Sequence, residues 1–399
     1  MTKVTSIVLN VFTNDSRVLK QNVSLVKYGF DVKILALYKE GFQEFEIIEN
    51  IPVYRLKSKN TNSLTLDKLT TSIYKRILKN LHRISARILN KYFYVSRIQF
   101  NMMYAKACKD SDIVHCNDLS ALPIGVMVKK FYNKNVKLVY DAHEYETEIN
   151  GHSERRKKKR RFLEKWLLPY TDNVMTVSNS IANEYVRLYG IQKPSLVLNT
   201  PHYVKNKKTN NFRDIFSISP SKTIFLYQGA LVKGRGIENI LDVFSNIQNK
   251  QHVVVFMGYG SLEEEILHAV NKHDNIFFHP AVSPDVLLNY TSSADFGISM
   301  IEDICLSYRY CLPNKMFEYI MAEVPVIVSN LPEMKKIVQE YGLGVVAMEN
   351  GSTGLEKAID VATNLNRTQL NVNIQKAKHI FNWEEQEKVF ISIYKSLEN

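Results

Sequence analysis

Leu312-Pro313-Asn314-Lys315-Met316-Phe317-Glu318-Tyr319, closely followed by Val324-Pro325-Val326-Ile327-Val328, decides how this chain is read. Proline and asparagine open a helix. Lys315 stands in its first turn, where the helix dipole disfavours a cation, and Glu318 follows on the same face. The apolar run bounded by proline is a buried strand. A helix N-terminus attracts anions, and a lysine there strengthens the attraction. A glutamate beside it can accept two hydroxyls of a ribose. The residue types therefore make a candidate socket for a sugar nucleotide.

Outward from this segment, short apolar strands alternate with helical patterns. The first half reads as strands at Ser6–Phe12, Asp31–Leu37, Asp112–Cys116, Lys137–Asp141 and Val174–Val177, with helices at Val18–Tyr28 and Ile181–Tyr189. A second series has strands at Ile224–Gln228, His252–Met257, Asn275–His279, Asp295–Met300 and Val324–Ser329, with helices at Gly236–Gln248 and Leu262–Val270. Such alternation implies parallel sheets with helices on both faces. Between the series, Asn199-Thr200-Pro201 leads into a polar, lysine- and asparagine-rich linker reaching about Asn211. The expected fold is α/β, two doubly wound Rossmann-like domains facing across a cleft, with ligands at the carboxyl ends of the strands. The expected boundaries are 1–200, 201–375 and a closing helical segment 376–399.

The bulk properties agree with two globular domains: 399 residues, 45% hydrophobic and 23% charged. A formal charge of +12 favours anionic partners. Cys108, Cys116, Cys305 and Cys311 show no metal-ligand spacing and read as reduced thiols of a cytoplasmic protein. The N-terminus lacks the pattern of a signal peptide, and no apolar run is long enough to span a bilayer.

Polar clusters stand at the expected strand ends. In Asn10–Val18, Arg17 could hold an oxyanion in a forked geometry, although Asp15 or Ser16 simply capping the helix explains the same residues. His115-Cys116-Asn117-Asp118 and Tyr140-Asp141-Ala142-His143-Glu144 end neighbouring strands. Their imidazoles and carboxylates suit proton transfer or a grip on sugar hydroxyls, against a bland reading of helix caps and a core histidine. In Gln228–Gly236, Gly229 lets backbone approach a phosphate while Lys233 and Arg235 supply charge. Gly258-Tyr259-Gly260 is a weaker phosphate signal, equally a simple turn. Two basic stretches complete the survey, Arg155–Arg161 running into Phe162, Leu163 and Trp166, and residues 75–97 with apolar residues at helical spacing. Basic amphipathic helices with aromatics suit an anionic membrane surface; nucleic acid and a merely solvated face are the rival readings.

Taken in order, Asp15-Ser16-Arg17-Val18, His115-Cys116-Asn117-Asp118-Leu119, Tyr140-Asp141-Ala142-His143-Glu144, Gly234-Arg235-Gly236-Ile237-Glu238, Pro313–Tyr319 and Phe381-Asn382-Trp383 give the chain a likeness that runs nearly end to end. It resembles bacterial glycosyltransferases of the GT-B fold, retaining family 4, in the branch carrying Tyr-Asp-Ala-His-Glu. The resemblance implies a UDP- or GDP-linked sugar donor bound mainly by the C-terminal domain, an acceptor bound mainly by the N-terminal one, and no metal or other cofactor. It implies that Glu318 grips the donor ribose and that Arg235 is one of the basic pair on the diphosphate. The partner of Arg235 falls at Ala230, leaving Lys315 or Lys233 to compensate. The first glutamate of the family's pair falls at Tyr310, with Glu302 or Asp303 as substitutes. A donor-contacting histidine of many relatives falls at Asn117.

The implied chemistry is transfer of a sugar to a glycan hydroxyl with retained configuration. Asp118, His143 and Glu144 would orient the sugars, and Arg17, Asn117, Gly229, Lys233, Arg235, Gly258, Lys315 and Glu318 would hold the donor. The basic stretches add a lipid-linked acceptor and a peripheral place at the inner face of a bacterial plasma membrane, in capsule, O-antigen or similar polysaccharide assembly, with no nucleic-acid partner. The alternatives are an inverting transferase, a sugar-nucleotide epimerase, or a non-enzymatic basic scaffold.

Overall fold

The computed structural model describes residues 1–13, 15–57, 97–205 and 208–398. The basic stretch 75–97 lies, apart from Arg97, outside the described residues. Two compact units are found. One comprises Met1–Ala142, Phe162–Met175 and Ile393–Asn399, and the other His143–Arg161 and Thr176–Ser392.

The first sheet contains β1 (Lys3–Ile7), β2 (Asp31–Leu37), β3 (Phe45–Ile48), β4 (Ile51–Leu56), β5 (Ile113–Asn117), β6 (Lys137–Ala142), β7 (Asn173–Thr176) and β8 (Ser195–Leu196). Its order is β3-β4-β2-β1-β5-β6-β7-β8. Strands β4, β2, β1, β5 and β6 pair in parallel, and β3 returns antiparallel to β4. The hairpin between β3 and β4 turns on Glu49 and Asn50, both at positive φ. That is the backbone a tight hairpin needs, here without glycine.

The second sheet contains β9 (Thr223–Ala230), β10 (His252–Tyr259), β11 (Ile276–Pro280), β12 (Phe296–Ser299), β13 (Val326–Ser329) and β14 (Gly344–Ala347). Its order is β11-β10-β9-β12-β13-β14, parallel throughout. Alternate residues of β10 enter different cores: Val253, Val255 and Met257 pack with Met316 and Phe317, whereas Val254 and Phe256 pack with Ile240 and Phe244. A strand buried on both faces reads as a continuous apolar run, which explains the unbroken Val253–Met257.

Strand order reverses between β1 and β5 in the first sheet and between β9 and β12 in the second. Reversal leaves a crevice at the carboxyl ends of the strands, the usual ligand position of such sheets. At the second reversal the helix Asn314–Met321 is pinned to the sheet by Tyr319. Its ring lies where a Cβ on Gly297 would fall, 2.4 Å from the ring carbons. Its hydroxyl donates to Leu226 O (3.0 Å) and accepts from Gln228 N (3.0 Å).

Candidate functional site

A cavity of about 320 Å³ opens at the carboxyl end of β9, and every residue lining it belongs to the second unit. Its floor is Tyr227, Gln228 and Gly229; Pro313, Asn314 and Lys315 bring the N-terminus of a helix to it. Pro313, the N-cap, offers no side-chain hydrogen bond to that helix, so first-turn amides and the positive dipole end remain for a ligand.

Lys315 and Arg235 both line this cavity. Lys315 is only 9% exposed, and its Nζ lies 3.6 Å from the centre of the Tyr227 ring. Arg235 lies 4.5 Å over the ring of Tyr308, its Nε buried without a hydrogen-bond partner. Among the described residues neither cation forms an ion pair; each rests on an aromatic face, which attracts a cation without cancelling its charge. Burial holds the Lys315 ammonium well below the usual lysine range, and Arg235 pushes it the same way, with Glu318 and Cys311 opposing. Burial pushes the Cys311 thiol up to about 12, so this cavity-lining cysteine is no ready nucleophile.

An anion bound in this cavity would favour the charged form of Lys315, so the complex would hold that proton more tightly than the free protein does. Affinity for pyrophosphate therefore falls as pH rises through the window from the depressed value toward 10.5, by up to about tenfold per unit. Calorimetry in buffers of unlike ionisation enthalpy reads the uptake directly; no uptake anywhere in that window would contradict it.

The remaining residues singled out in the sequence divide clearly. Glu318 lines the cavity and accepts from Gln228 Nε2 at 2.6 Å. Gly229 lines it with φ of 110°, and a Cβ there would meet Lys315 Cε at 3.6 Å. His143 and Glu144 line the same cavity. Gly258 does not; it pairs with Gly229 across β10 and β9, where a Cβ would fall 1.9 Å from Gly229 O. Its role is close approach of β10 to β9, and Gly258→Ala should cost about 1–3 kcal/mol of stability and blunt pyrophosphate binding. Thermal melting and calorimetry check both. Lys233 is exposed and outside the cavity lining. Of the substitutes for the absent glutamate, Asp303 pairs with Arg309 at 2.8 Å, Glu302 bonds Asn239 at 3.4 Å, and neither lines the cavity.

Arg17, Asn117, Asp118 and His115 fall in the first unit instead. Arg17 is 4% exposed and forks onto Asp141, with Nη2–Oδ1 at 2.8 Å and Nε–Oδ2 at 3.1 Å. That buried pair occupies the fork the sequence offered to an oxyanion, while Asp15 caps the helix through Val18 N at 3.2 Å. Asn117 is 1% exposed and donates to Ser6 Oγ and Ile7 O, both at 3.0 Å, so its amide ties β5 to β1. Asp118 opens the helix Asp118–Phe131 at φ of 65°, a left-handed conformation costly for a residue with a Cβ and of the kind concentrated at functional sites. His115 is a core residue, bonded to the Tyr394 hydroxyl and 3.7 Å from Asp141. Tyr227, Gln228 and Tyr308 are site residues that residue-by-residue reading missed; only the adjacency of Gln228 to Gly229 pointed to one of them.

The basic run also divides. On the helix Glu154–Leu167, Lys157 and Arg161 turn to Glu148 and Arg160 to Glu146. The opposite face leaves Arg155, Lys158 and Lys159 exposed beside Phe162 (75% exposed) and Trp166 (55%). No helix among the described residues is long and apolar enough to cross a membrane.

Comparison with known proteins agrees with this architecture. Residues 23–200 match the model described as Glycosyltransferase Family 4, and residues 208–379 match Glycosyl transferases group 1. No curated protein matches the sequence. Sucrose-phosphate synthase from Thermosynechococcus elongatus superposes with a TM-score of 0.78 at 16% identity, covering 100% of this chain and 99% of that one. HepE of Anabaena in complex with UDP-glucose gives 0.71 at 11% identity, covering 99% and 100%. The lipopolysaccharide outer core galactosyltransferase WaaB gives 0.65 at 12% identity, covering 99% of each. Likeness at such identity shows the fold alone; with a glycosyltransferase model matched to each half as well, this chain is a glycosyltransferase of the GT-B fold.

Proposed function

We propose that the chain moves a sugar from a nucleoside diphosphate to a hydroxyl of a lipid-linked glycan, with retention of configuration, in surface polysaccharide assembly. The observation that carries the reading is the pair of cations, Arg235 and Lys315, lining one cavity on aromatic supports at a helix N-terminus. As the anomeric carbon–oxygen bond breaks, its electron pair leaves with the diphosphate. Arg235, Lys315 and the amides of the helix Asn314–Met321 stabilise that charge. The acceptor oxygen bonds to the anomeric carbon, and its proton passes to the departing phosphate oxygen. Glu318 holds the ribose, His143 and Glu144 orient the donor sugar, and Asp118 serves the acceptor. UDP-glucose bound to HepE favours this donor class.

A thermal-shift screen of nucleotide sugars tests the donor, since the true donor raises the melting temperature by mass action. NMR of the new linkage then separates retention from inversion and from epimerisation. For the acceptor, the exposed face of Arg155, Lys158, Lys159, Phe162 and Trp166 supports attachment to an anionic membrane. The protein is expected to float with anionic and not neutral liposomes, and Phe162→Ser with Trp166→Ser to abolish this; equal behaviour with both lipids would refute the attachment.

A further inference from the structure

Gln228 is 1% exposed and Thr291 is fully buried, yet both spend their polar groups on one chain of hydrogen bonds that ends at the cavity. Gln228 Nε2 donates to Glu318 Oε2 at 2.6 Å, and the Thr291 hydroxyl stands 2.8 Å from both Gln228 Oε1 and Leu287 O, sharing one proton between two acceptors. The order of these bonds matters. A carboxamide turned over would set its oxygen against the carboxylate, two acceptors in contact. The carboxylate, which only accepts, thus sets which end of the amide faces it, and the Thr291 hydroxyl packs against the other end. Gln228 is also fixed through its backbone, because its N–H donates to the hydroxyl of Tyr319, the residue next to Glu318 on the same helix. The end of β9 and the helix carrying Glu318 are therefore tied twice, once through main chain and once through side chain.

We infer that Gln228 is a positioning residue for the donor ribose: braced by Thr291, it holds the Glu318 carboxylate at the cavity wall in the geometry that accepts ribose hydroxyls. The inference rests on the reading of Glu318 given above and adds to it a dependence on two buried residues, Gln228 in the cavity floor and Thr291 outside the lining. It makes selectivity for ribose over deoxyribose a property of the chain Thr291–Gln228–Glu318, separate from the two cations that receive the diphosphate.

The test compares calorimetric affinities of the full-length protein for UDP and GDP, their 2′-deoxy counterparts, and inorganic pyrophosphate. The wild-type protein is expected to prefer a ribonucleotide. Gln228→Leu should weaken that ribonucleotide by about tenfold, the worth of one strong hydrogen bond to a charged group, and leave the deoxynucleotide and pyrophosphate nearly unchanged. Thr291→Val, which keeps the shape and removes only the hydroxyl, should move the ratio the same way by a smaller factor and serves if Gln228→Leu does not fold. If the variants melt like the wild type and keep its ribose preference, the positioning role is overturned while the Glu318 reading stands. An equal loss for pyrophosphate overturns it too, revealing general damage to the cavity. If the wild-type protein binds neither ribonucleotide, or binds ribo and deoxy forms alike, the reading of Glu318 fails and this inference with it.

Discussion

Replacing Lys315 by methionine is expected to lower turnover by about 10²–10³-fold while leaving the melting temperature at pH 7 unchanged or raised. The two effects share a cause. The folded protein holds Lys315 well below its ordinary value of 10.5, chiefly through burial and then through Arg235. The unfolded chain therefore binds this proton more tightly than the folded one. Burying the lysine costs stability at every pH below 10.5, and the cost fades as pH rises through the window from the folded value to 10.5. Methionine fills similar space without that cost and gives up only the contact with Tyr227, 3.6 Å from its ring centre. The gain in stability should thus shrink toward pH 10.5. An unstable variant would mean that Lys315 supports the fold; a stable variant with near-normal turnover would remove it from the chemistry.

Arg235→Ala is expected to cost a similar factor, about 10²–10³ in kcat/KM, and lysine at this position should restore little of it. A guanidinium can lie flat on Tyr308 and still fork onto phosphate oxygens, and an ammonium offers only a point charge. The two cations also oppose each other, since Arg235 is a cause of the depressed Lys315 value. Removing Arg235 therefore lets Lys315 hold its proton more tightly in the empty cavity, and proton uptake on binding pyrophosphate should fall. For the same reason Lys315 should matter more once Arg235 is gone, and the double variant should lose more than the product of the single losses. Fully multiplicative losses in steady-state kinetics would show that the residues act apart.

The architecture was largely legible in the sequence, because strands buried on both faces leave continuous apolar runs such as Val253–Met257 and glycine-bounded helices between them. The misreadings have identifiable causes. The first strand ends at Ile7 and not Phe12, since Val8 and Phe12 are buried in a loop whose carbonyls at Val11 and Phe12 are held by Arg55. Burial gives loop and strand the same apolar signature. The hairpin of β3 and β4 went unseen because its turn uses Glu49 and Asn50 without the glycine that marks such turns.

At the site, residues next to one another in the chain were readable and distant pairs were not. The anion-attracting helix start at Asn314 and Lys315 is a local pattern. Nothing local announces that Asp141 claims Arg17, that Tyr308 carries Arg235, or that Gln228 reaches Glu318. Charge counting likewise showed the run Arg155–Arg161 but not Glu146 and Glu148, which face three of its members.

The most direct measurement is a crystal structure of the protein with a nucleoside diphosphate bound. The terminal phosphate should lie within about 2.7–2.9 Å of Lys315 Nζ and of the Arg235 guanidinium, above the first turn of the helix Asn314–Met321, with the ribose at Glu318. A diphosphate seated elsewhere, with either cation turned to solvent, would contradict it.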